Sequence, residues 1–255
     1  MNTQYILMWL EAPLQSWGFD SKFNRRDTLE FPTKSGILGL LLCALGASGE
    51  QKELLERFAI LTQTVISFRY RNEENGGIFE QKLPYLHDFQ MIGSGYNDKD
   101  MWETLNIPKK SDGSAAVGGG TKLTHRYYLQ NAMFAVLLEV PADMSNEIVD
   151  ALKNPVYPIY LGRKCCVPTD FIYQGCFDSI DEAEIAAFEK AKMKATIRNE
   201  AEKKMNKWRL AEDFRVVDGE KEDGDSFTLN DVPIQFGTKK KYRDRRVTKI
   251  FCIED

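Results

Sequence analysis

The segment TKLTHRYYLQ, residues 121–130, places a lysine, a histidine and two tyrosines in one predicted strand. Side chains alternate along a strand, so His125 and Tyr127 lie on the same face. Lys122, His125 and Tyr127 suffice for metal-independent RNA cleavage, in which one group deprotonates a 2′-hydroxyl and another protonates the leaving oxygen. The alternative is that these residues contact phosphates or a neighbouring protein without catalysis.

A second candidate is FPTKSGILGLLL at 31–42, where Lys34, Ser35 and Gly36 precede an apolar run. This order suits a phosphate at a helix N-terminus, and it equally suits a capped core helix. A P-loop needs glycines before its lysine, whereas here Lys34 precedes Gly36, so a nucleotide hydrolase is not predicted. The chain also lacks H-E-x-x-H, paired acidic metal ligands and a G-x-S-x-G elbow. We therefore expect no metal and no cofactor.

Basic residues are clustered although the chain is weakly acidic. Lys and Arg number 34 against 38 Asp and Glu, which gives no general field for nucleic acid. The segment KKKYRDRRVTK at 239–249 has seven cations and one anion, and the acidic loop at 212–225 has seven anions and two cations. This segregation predicts either a local basic face or a solvated hairpin. Smaller basic pairs flank predicted loops, where contacts with ligands concentrate: Arg25-Arg26 and Arg163-Lys164.

Cysteine usage and the N-terminus limit the possible classes further. The five cysteines lack a C-x-x-C spacing and only two histidines occur, which argues against a zinc site or a disulfide framework. The opening MNTQYILMWLEAP has no basic n-region and predicts a strand, not a signal peptide. The longest apolar run, 37–47, is shorter than the roughly 20 residues that span a bilayer. We therefore expect a cytoplasmic protein without membrane contact.

The first part of the chain reads as alternating strands and helices. A strand at 4–10 precedes a helix that Thr33 or Ser35 can cap and that ends at Gly46. A second helical piece then leads to an alternating strand at 64–71. An Asn-Gly-Gly turn then predicts a hairpin whose second arm is residues 78–92.

The middle of the chain begins with a Gly-rich, aperiodic stretch at 93–120, which predicts a long mobile insertion. A long strand at 125–140, a helix at 144–154 and a strand at 171–177 follow. Strand, helix, strand, strand, helix, strand is the order of a ferredoxin-like fold, so the predicted class is α+β. A helix from 181 to at least Lys194 and later strands predict a small β-rich extension.

Three stretches resemble a known family: EAPLQSWG at 11–18, RDTLEFPTKSGILGLLLCALG at 26–46 and YPIYLGRKCCVP at 157–168. In order and spacing they are similar to the CasD family of RAMP proteins, subunits of the type I-E CRISPR surveillance complex Cascade. PYLHDFQMIGSGY at 84–96 and HRYYLQNAMFAVLLEV at 125–140 extend the similarity. It covers most of the first 177 residues and is weak beyond them.

The resemblance implies a ferredoxin-like (RRM-like, RAMP) domain over 1–177 with a thumb-like hairpin insertion at about 85–128, and a C-terminal extension over 178–255. It also implies a non-catalytic subunit that holds the 5′ handle of the CRISPR RNA and caps the backbone of CasC subunits. In that family the CasA large subunit docks nearby, and target DNA is engaged indirectly because base pairing reads its sequence.

The family also supplies an alternative. Relatives in type I-C systems trim the guide precursor with Tyr, Lys and His side chains, and Lys122, His125 and Tyr127 imitate that set. The chain would then be a metal-independent endoribonuclease of CRISPR repeats.

RNA held in a fixed shape needs cations and backbone amides for its phosphates and aromatic or polar surfaces for its bases. The resembling motifs supply such groups, and we expect RNA contacts from eight residues: Gln15, Trp17, Arg26, Lys34, Ser35, Gly36, Arg163 and Lys164. Glu30 lies close by and would repel a phosphate unless Arg25 or Arg26 pairs with it.

Overall fold

The computed structural model of the chain describes residues 2–19, 21, 24–92, 99–105, 109–114 and 122–252. Helices and two sheets, mostly antiparallel, make up this part of the chain, so the predicted mixed α and β class is confirmed. Of the insertion predicted at 93–120, only 99–105 and 109–114 lie within the described residues, and they include helix α3 (Met101–Leu105).

Four neighbouring strands form one end of the larger sheet: β1 (Thr3–Glu11), β4 (Gln63–Asn72), β8 (Met133–Pro141) and β9 (Tyr173–Phe177). Their spatial order is β4-β8-β1-β9. The run Ile6 to Leu10 is buried throughout, because helices cover both faces of the sheet. This explains why the first strand is apolar at successive positions instead of alternating.

Three helices pack with the larger core cluster on one face: α1 (Lys34–Leu45), α2 (Lys52–Ala59) and α4 (Ser145–Lys153). Both predicted ends of α1 are confirmed, since Thr33 Oγ1 accepts from the Gly36 amide at 3.1 Å and Gly46 has a φ of 70°. Helix α5 (Ile180–Ala201) lies on the other face and reaches beyond the predicted Lys194. It packs through alanines four residues apart: Ala183, Ala187, Ala191 and Ala195.

The prediction of one long strand at 125–140 is wrong, because the chain changes sheets at Asn131, where φ is 50°. Residues before it form β7 (Lys122–Gln130) of a smaller sheet and residues after it form β8. The smaller sheet also contains β2 (Leu14–Gln15), β3 (Arg25–Arg26) and β6 (Leu86–Ile92).

The hairpin arm predicted at 78–92 also needs correction. Only β5 (Ile78–Phe79) pairs with β4, whereas β6 pairs with β7 in the smaller sheet. The intervening residues cross from one sheet to the other, so the Asn-Gly-Gly turn ends a very short hairpin.

The C-terminal part adds three strands beside β4: β10 (Trp208–Asp218), β11 (Asp225–Gln235) and β12 (Lys241–Phe251). The acidic loop predicted at 212–225 is therefore partly a strand, in which Phe214 and Val216 are buried and Glu212 pairs with Arg215. Within the described residues, no helix combines the length and apolar character needed to cross a bilayer.

Candidate nucleic-acid interface

A groove of about 630 Å³ runs beside α1 and has walls from the 157–164 loop and the end of the β11–β12 hairpin. Five of the eight residues expected to contact RNA line it: Trp17, Ser35, Gly36, Arg163 and Lys164. Its charged lining residues within the described chain are Arg163, Lys164 and Lys240, and no carboxylate is among them. We call it the cationic groove.

A tight turn around Gly162 holds the two basic residues of the 157–164 loop in place. Gly162 has a φ of 98°, and a Cβ there would lie 1.8 Å from the backbone oxygen of Ser16. The Ser16 amide donates to Leu161 O at 3.1 Å, and the Cys166 amide closes the turn on Arg163 O at 2.8 Å. Only glycine fits this approach, and it fixes the loop against the segment after β2.

Arg163 is held on two sides. Its Nη2 donates to Arg26 O at 3.0 Å, and its guanidinium lies 4.7 Å from the centre of the Tyr128 ring. Burial raises the pKa of Tyr128, which keeps the hydroxyl neutral beneath the cation. Nη1 is buried and has no hydrogen-bond partner among the described residues. The predicted site residues Arg26 and Arg163 are thus neighbours.

Gln15 supports the groove floor and is itself buried. Its Nε2 donates to Ala132 O at 2.7 Å, and its Oε1 accepts from Trp17 Nε1 at 3.1 Å. Trp17 is only 1% exposed. The expected direct contacts of Gln15 and Trp17 with RNA therefore need correction: Gln15 is a positioning residue, and Trp17 presents no free ring face.

Lys34 is also buried, at 2% exposure, and its Nζ donates to Leu61 O. Burial lowers the pKa of Lys34 to about 8, although the carboxylates of Asp218 and Asp231 oppose the shift. The prediction that this ammonium contacts RNA is therefore wrong for this structure. Tertiary packing against the C-terminal extension places it in the interior.

The start of α1 is occupied by the protein's own groups. The Lys34 amide donates to Asp231 Oδ2 at 2.7 Å and the Gly36 amide donates to Thr33 Oγ1. A Cβ at Gly36 would lie 2.8 Å from the Trp17 ring, so this glycine permits Trp17 to pack. The phosphate cradle expected here is corrected to a capped core helix, and Thr33 and Ser35 are the polar side chains of this turn that line the groove.

Three of the seven cations of the 239–249 segment pair with carboxylates: Arg245, Arg246 and Lys249. Arg245 lies between Asp231, at 2.7 Å, and Asp218, while Lys249 pairs with Glu30. Burial raises the pKa of Glu30, but the hydrogen bond from Lys249 outweighs burial and holds this pKa below its usual range. Glu30 is thus paired with Lys249 of the extension and with Lys82, and not with Arg25 or Arg26, the two cations considered from the sequence.

Two groove residues were missed by sequence reasoning, Lys240 and Tyr242. Both lie in the basic cluster at 239–249, which could have indicated them but was interpreted only as a local basic face or a solvated hairpin. The structure divides the cluster: Arg245, Arg246 and Lys249 pair with carboxylates, and Lys240 reaches the groove from the turn.

The alternative catalytic residues lie on the smaller sheet. His87 Nε2 is 2.9 Å from His125 Nδ1, and the His87 ring stacks on Tyr127 with a centroid distance of 4.6 Å. His125 and Tyr127 therefore share a face as expected, with His87 as an additional member. The side chain of Lys122 lies outside the described residues.

A larger cleft of about 1080 Å³ opens between the larger sheet and the 80–85 segment. Seven charged residues line it: Glu11, Glu30, Arg69, Glu80, Lys82, Arg198 and Asp213. Six of them form ion pairs with one another, namely Arg69–Asp213 at 2.5 Å, Arg198–Glu80 at 3.0 Å and Lys82–Glu30 at 3.4 Å, and Glu11 pairs with Lys194. We call this the charge-balanced cleft, and it offers a polyanion little net attraction.

Comparisons with known proteins agree with one another. A family model described as CRISPR-associated protein (Cas_Cas5) matches residues 5–248. The CRISPR system Cascade subunit CasD of Escherichia coli (strain K12) is 28% identical over 180 residues, which cover 69% of this chain and 73% of that protein.

Two solved structures have a similar fold. One is titled CRISPR RNA-guided surveillance complex, with a TM-score of 0.65 and 24% identity over 97% of this chain and 89% of that chain. The other is titled Crystal structure of Cas protein, with a TM-score of 0.54 and 23% identity over 97% of this chain and 94% of that one.

Proposed function

The chain belongs to the CRISPR-associated Cas5 family, and we propose that it is a non-catalytic RNA-binding subunit of a Cascade surveillance complex. In this proposal it holds the 5′ handle of the guide RNA and caps the backbone of CasC subunits. The similarity to the E. coli Cascade subunit CasD supports membership of such a complex.

The observation that carries the RNA-binding proposal is the cationic groove. Its rim has Arg163, Lys164 and Lys240 as cations, Tyr160 and Tyr242 as aromatic surfaces, and no carboxylate among the described lining residues. Phosphates and unstacked bases are bound by this combination of groups. Arg26 lies beside the rim through its contact with Arg163.

We further propose that the core is a ferredoxin-like domain of the RAMP type. The strand order β4-β8-β1-β9, with α1 after β1 and α4 after β8, supports this assignment. The paired strands β6 and β7 with the residues between them are the proposed thumb, which we expect to contact the adjacent CasC subunit. CasA is the third expected partner, and target DNA is engaged indirectly through the guide.

Assembly of the complex tests the proposal. The double variant Arg163→Glu/Lys164→Glu is expected to abolish co-purification of guide RNA with the chain and CasC, because four units of charge change at the groove. The matched control is Lys203→Glu/Lys204→Glu, an adjacent exposed pair away from the groove. Unchanged guide RNA in the groove variant would reject the site.

A second candidate function is metal-independent cleavage of CRISPR repeat RNA. The contact between His87 and His125 beside Tyr127 favours it, because it brings together two groups that can exchange protons. Incubation of the purified chain with repeat RNA in a chelator distinguishes the candidates. Cleavage that is lost in His125→Ala would establish the nuclease, whereas intact RNA agrees with the non-catalytic subunit.

A further inference from the structure

The β6–β7 pair carries a row of rings on one face. The register places His87 opposite Tyr127 and Phe89 opposite His125, and alternation brings all four side chains to the same side of the sheet. Both histidines of the chain are in this row. We call these four residues the ring ladder.

The rings are held in a flat arrangement. His87 and Tyr127 are inclined by 7° with centroids 4.6 Å apart, and His87 and His125 are inclined by 9° with centroids 5.1 Å apart. The bond between His87 Nε2 and His125 Nδ1 fixes the two imidazoles side by side. Phe89 closes the row 5.0 Å from His125, tilted by 44°. Tyr127 therefore covers one face of His87, and the two imidazoles joined edge to edge are the broad flat surface of the row.

The rest of the described chain covers the ring ladder only in part, since the Arg25 guanidinium lies against the Tyr127 ring. Phe89 is 48% exposed, His87 is exposed, and His125 and Tyr127 are half-buried. Rings that only packed the hairpin would have their faces removed from water. This surface is instead free to take further flat groups.

Strand β3 connects the ring ladder with the cationic groove. It pairs in parallel with β7, and the Arg25 guanidinium lies 5.1 Å from the centre of the Tyr127 ring while Nε donates to Asp27. The next residue, Arg26, accepts a hydrogen bond from Arg163 at the groove rim. A bound polymer that extends from the cationic groove to the ring ladder thus passes basic residues along the way. Their charge favours a polyanion with flat side groups over an apolar protein segment.

We infer that the ring ladder stacks unpaired nucleobases of single-stranded RNA next to the segment held in the cationic groove; this rests on the proposed RNA-binding function. Stacking needs ring surface and is tolerant of base identity. In this role the two histidines and Tyr127 bind RNA, and no proton transfer is required of them.

The test uses the full-length chain and an oligouridine that carries 5-iodouridine. His87→Leu is expected to weaken binding about tenfold because a stacking surface is removed, and Tyr127→Leu is expected to do the same because it removes the ring on which His87 stacks. Tyr127→Phe keeps the ring and is expected to bind within about twofold of the wild type. The matched control is Tyr85→Leu, since Tyr85 is 47% exposed and lies outside the ring ladder. Ultraviolet crosslinks on the unmodified chain are expected at Tyr127 or His87.

Four results would overturn the inference. Leucine variants that bind like the wild type, while Arg163→Glu/Lys164→Glu does not bind, would reject the ring ladder and leave the proposed function intact. A loss in Tyr127→Phe as large as in Tyr127→Leu would assign the effect to the hydroxyl and not to stacking. Variants that lose CasC but keep RNA would make the surface a protein contact. A wild-type chain that binds neither oligouridine nor repeat RNA would reject both proposals.

Discussion

The cationic groove and the charge-balanced cleft differ in size and in charge. Size favours the cleft as the RNA-binding site, whereas charge favours the groove. The cleft is larger, at about 1080 Å³ against about 630 Å³, yet its four carboxylates offset its three cations. The groove has cations from two separate parts of the chain and no carboxylate among its described lining residues. For a polyanion, uncompensated charge is the better guide than volume.

The two regions also differ in what lies beneath them. The ion pairs of the cleft are partly exposed, as in Arg198–Glu80, whose side chains are 24% and 46% exposed. Behind the groove wall, Lys34, Asp231 and Arg245 are almost fully buried and join α1 to the C-terminal extension. The groove is therefore built on a fixed base, and its stability depends on tertiary contacts.

The largest effect is expected from Gly162→Ala. Its Cβ would lie 1.8 Å from Ser16 O at a φ of 98°, so the turn that carries Arg163 must distort. We expect a loss of about 3 kcal/mol or more in the free energy of unfolding, measured by urea denaturation, together with weaker RNA binding. Gly49→Ala is the control, since Gly49 also lines the groove at a φ of 84° but has open space around it. Its cost should be about 1 kcal/mol, and equal losses in the two variants would contradict the role of the Ser16 contact.

The buried base makes a prediction about pH. The pKa of Lys34 is about 8 in the folded chain against an ordinary value of 10.5, so below pH 8 both states carry the proton and burial opposes folding in full. Between these values the unfolded state binds more protons, and stability increases with pH. Relative to Lys34→Met, the wild type should gain up to about 3 kcal/mol between pH 8 and 10.5. A difference in stability between the wild type and Lys34→Met that does not change with pH would contradict the burial of Lys34.

A smaller effect is expected from Lys240→Ala at the rim. Removal of one phosphate contact should reduce the slope of log affinity against log salt by about 0.7 for single-stranded RNA. The neighbouring Lys239 is exposed and does not line the groove, so Lys239→Ala is the matched control. Equal slopes for the two variants would show that the rim cation makes no specific contact.

Local signals predicted much of the fold. Thr33 and Gly46 mark the ends of α1 because capping depends on residues close in sequence. The change of sheet at Asn131 was missed because no glycine or proline marks it. Strand β10 was hidden by charges that pair across the structure, such as Arg69 with Asp213. Pairings of this kind are set by tertiary structure and leave no local pattern.

Part of the candidate site could also be predicted from the sequence. Arg163 and Lys164 follow a Tyr-Leu-Gly turn on a loop, and such residues lie at the surface wherever the loop is placed. The burial of Lys34 depends on Asp231, which is 197 residues away in sequence. No spacing rule near Lys34 indicates that partner, so the helix start was read as a phosphate site.

The most direct test of the central claim is the affinity of the chain for its repeat-derived RNA after reversal of one exposed lysine in each region. Lys164→Glu in the cationic groove is expected to weaken binding by at least about tenfold, because an attractive charge becomes repulsive at a phosphate contact. Lys82→Glu in the charge-balanced cleft is expected to bind within about twofold of the wild type. A loss confined to Lys82→Glu, or no loss in either variant, would contradict the account that the groove holds the RNA.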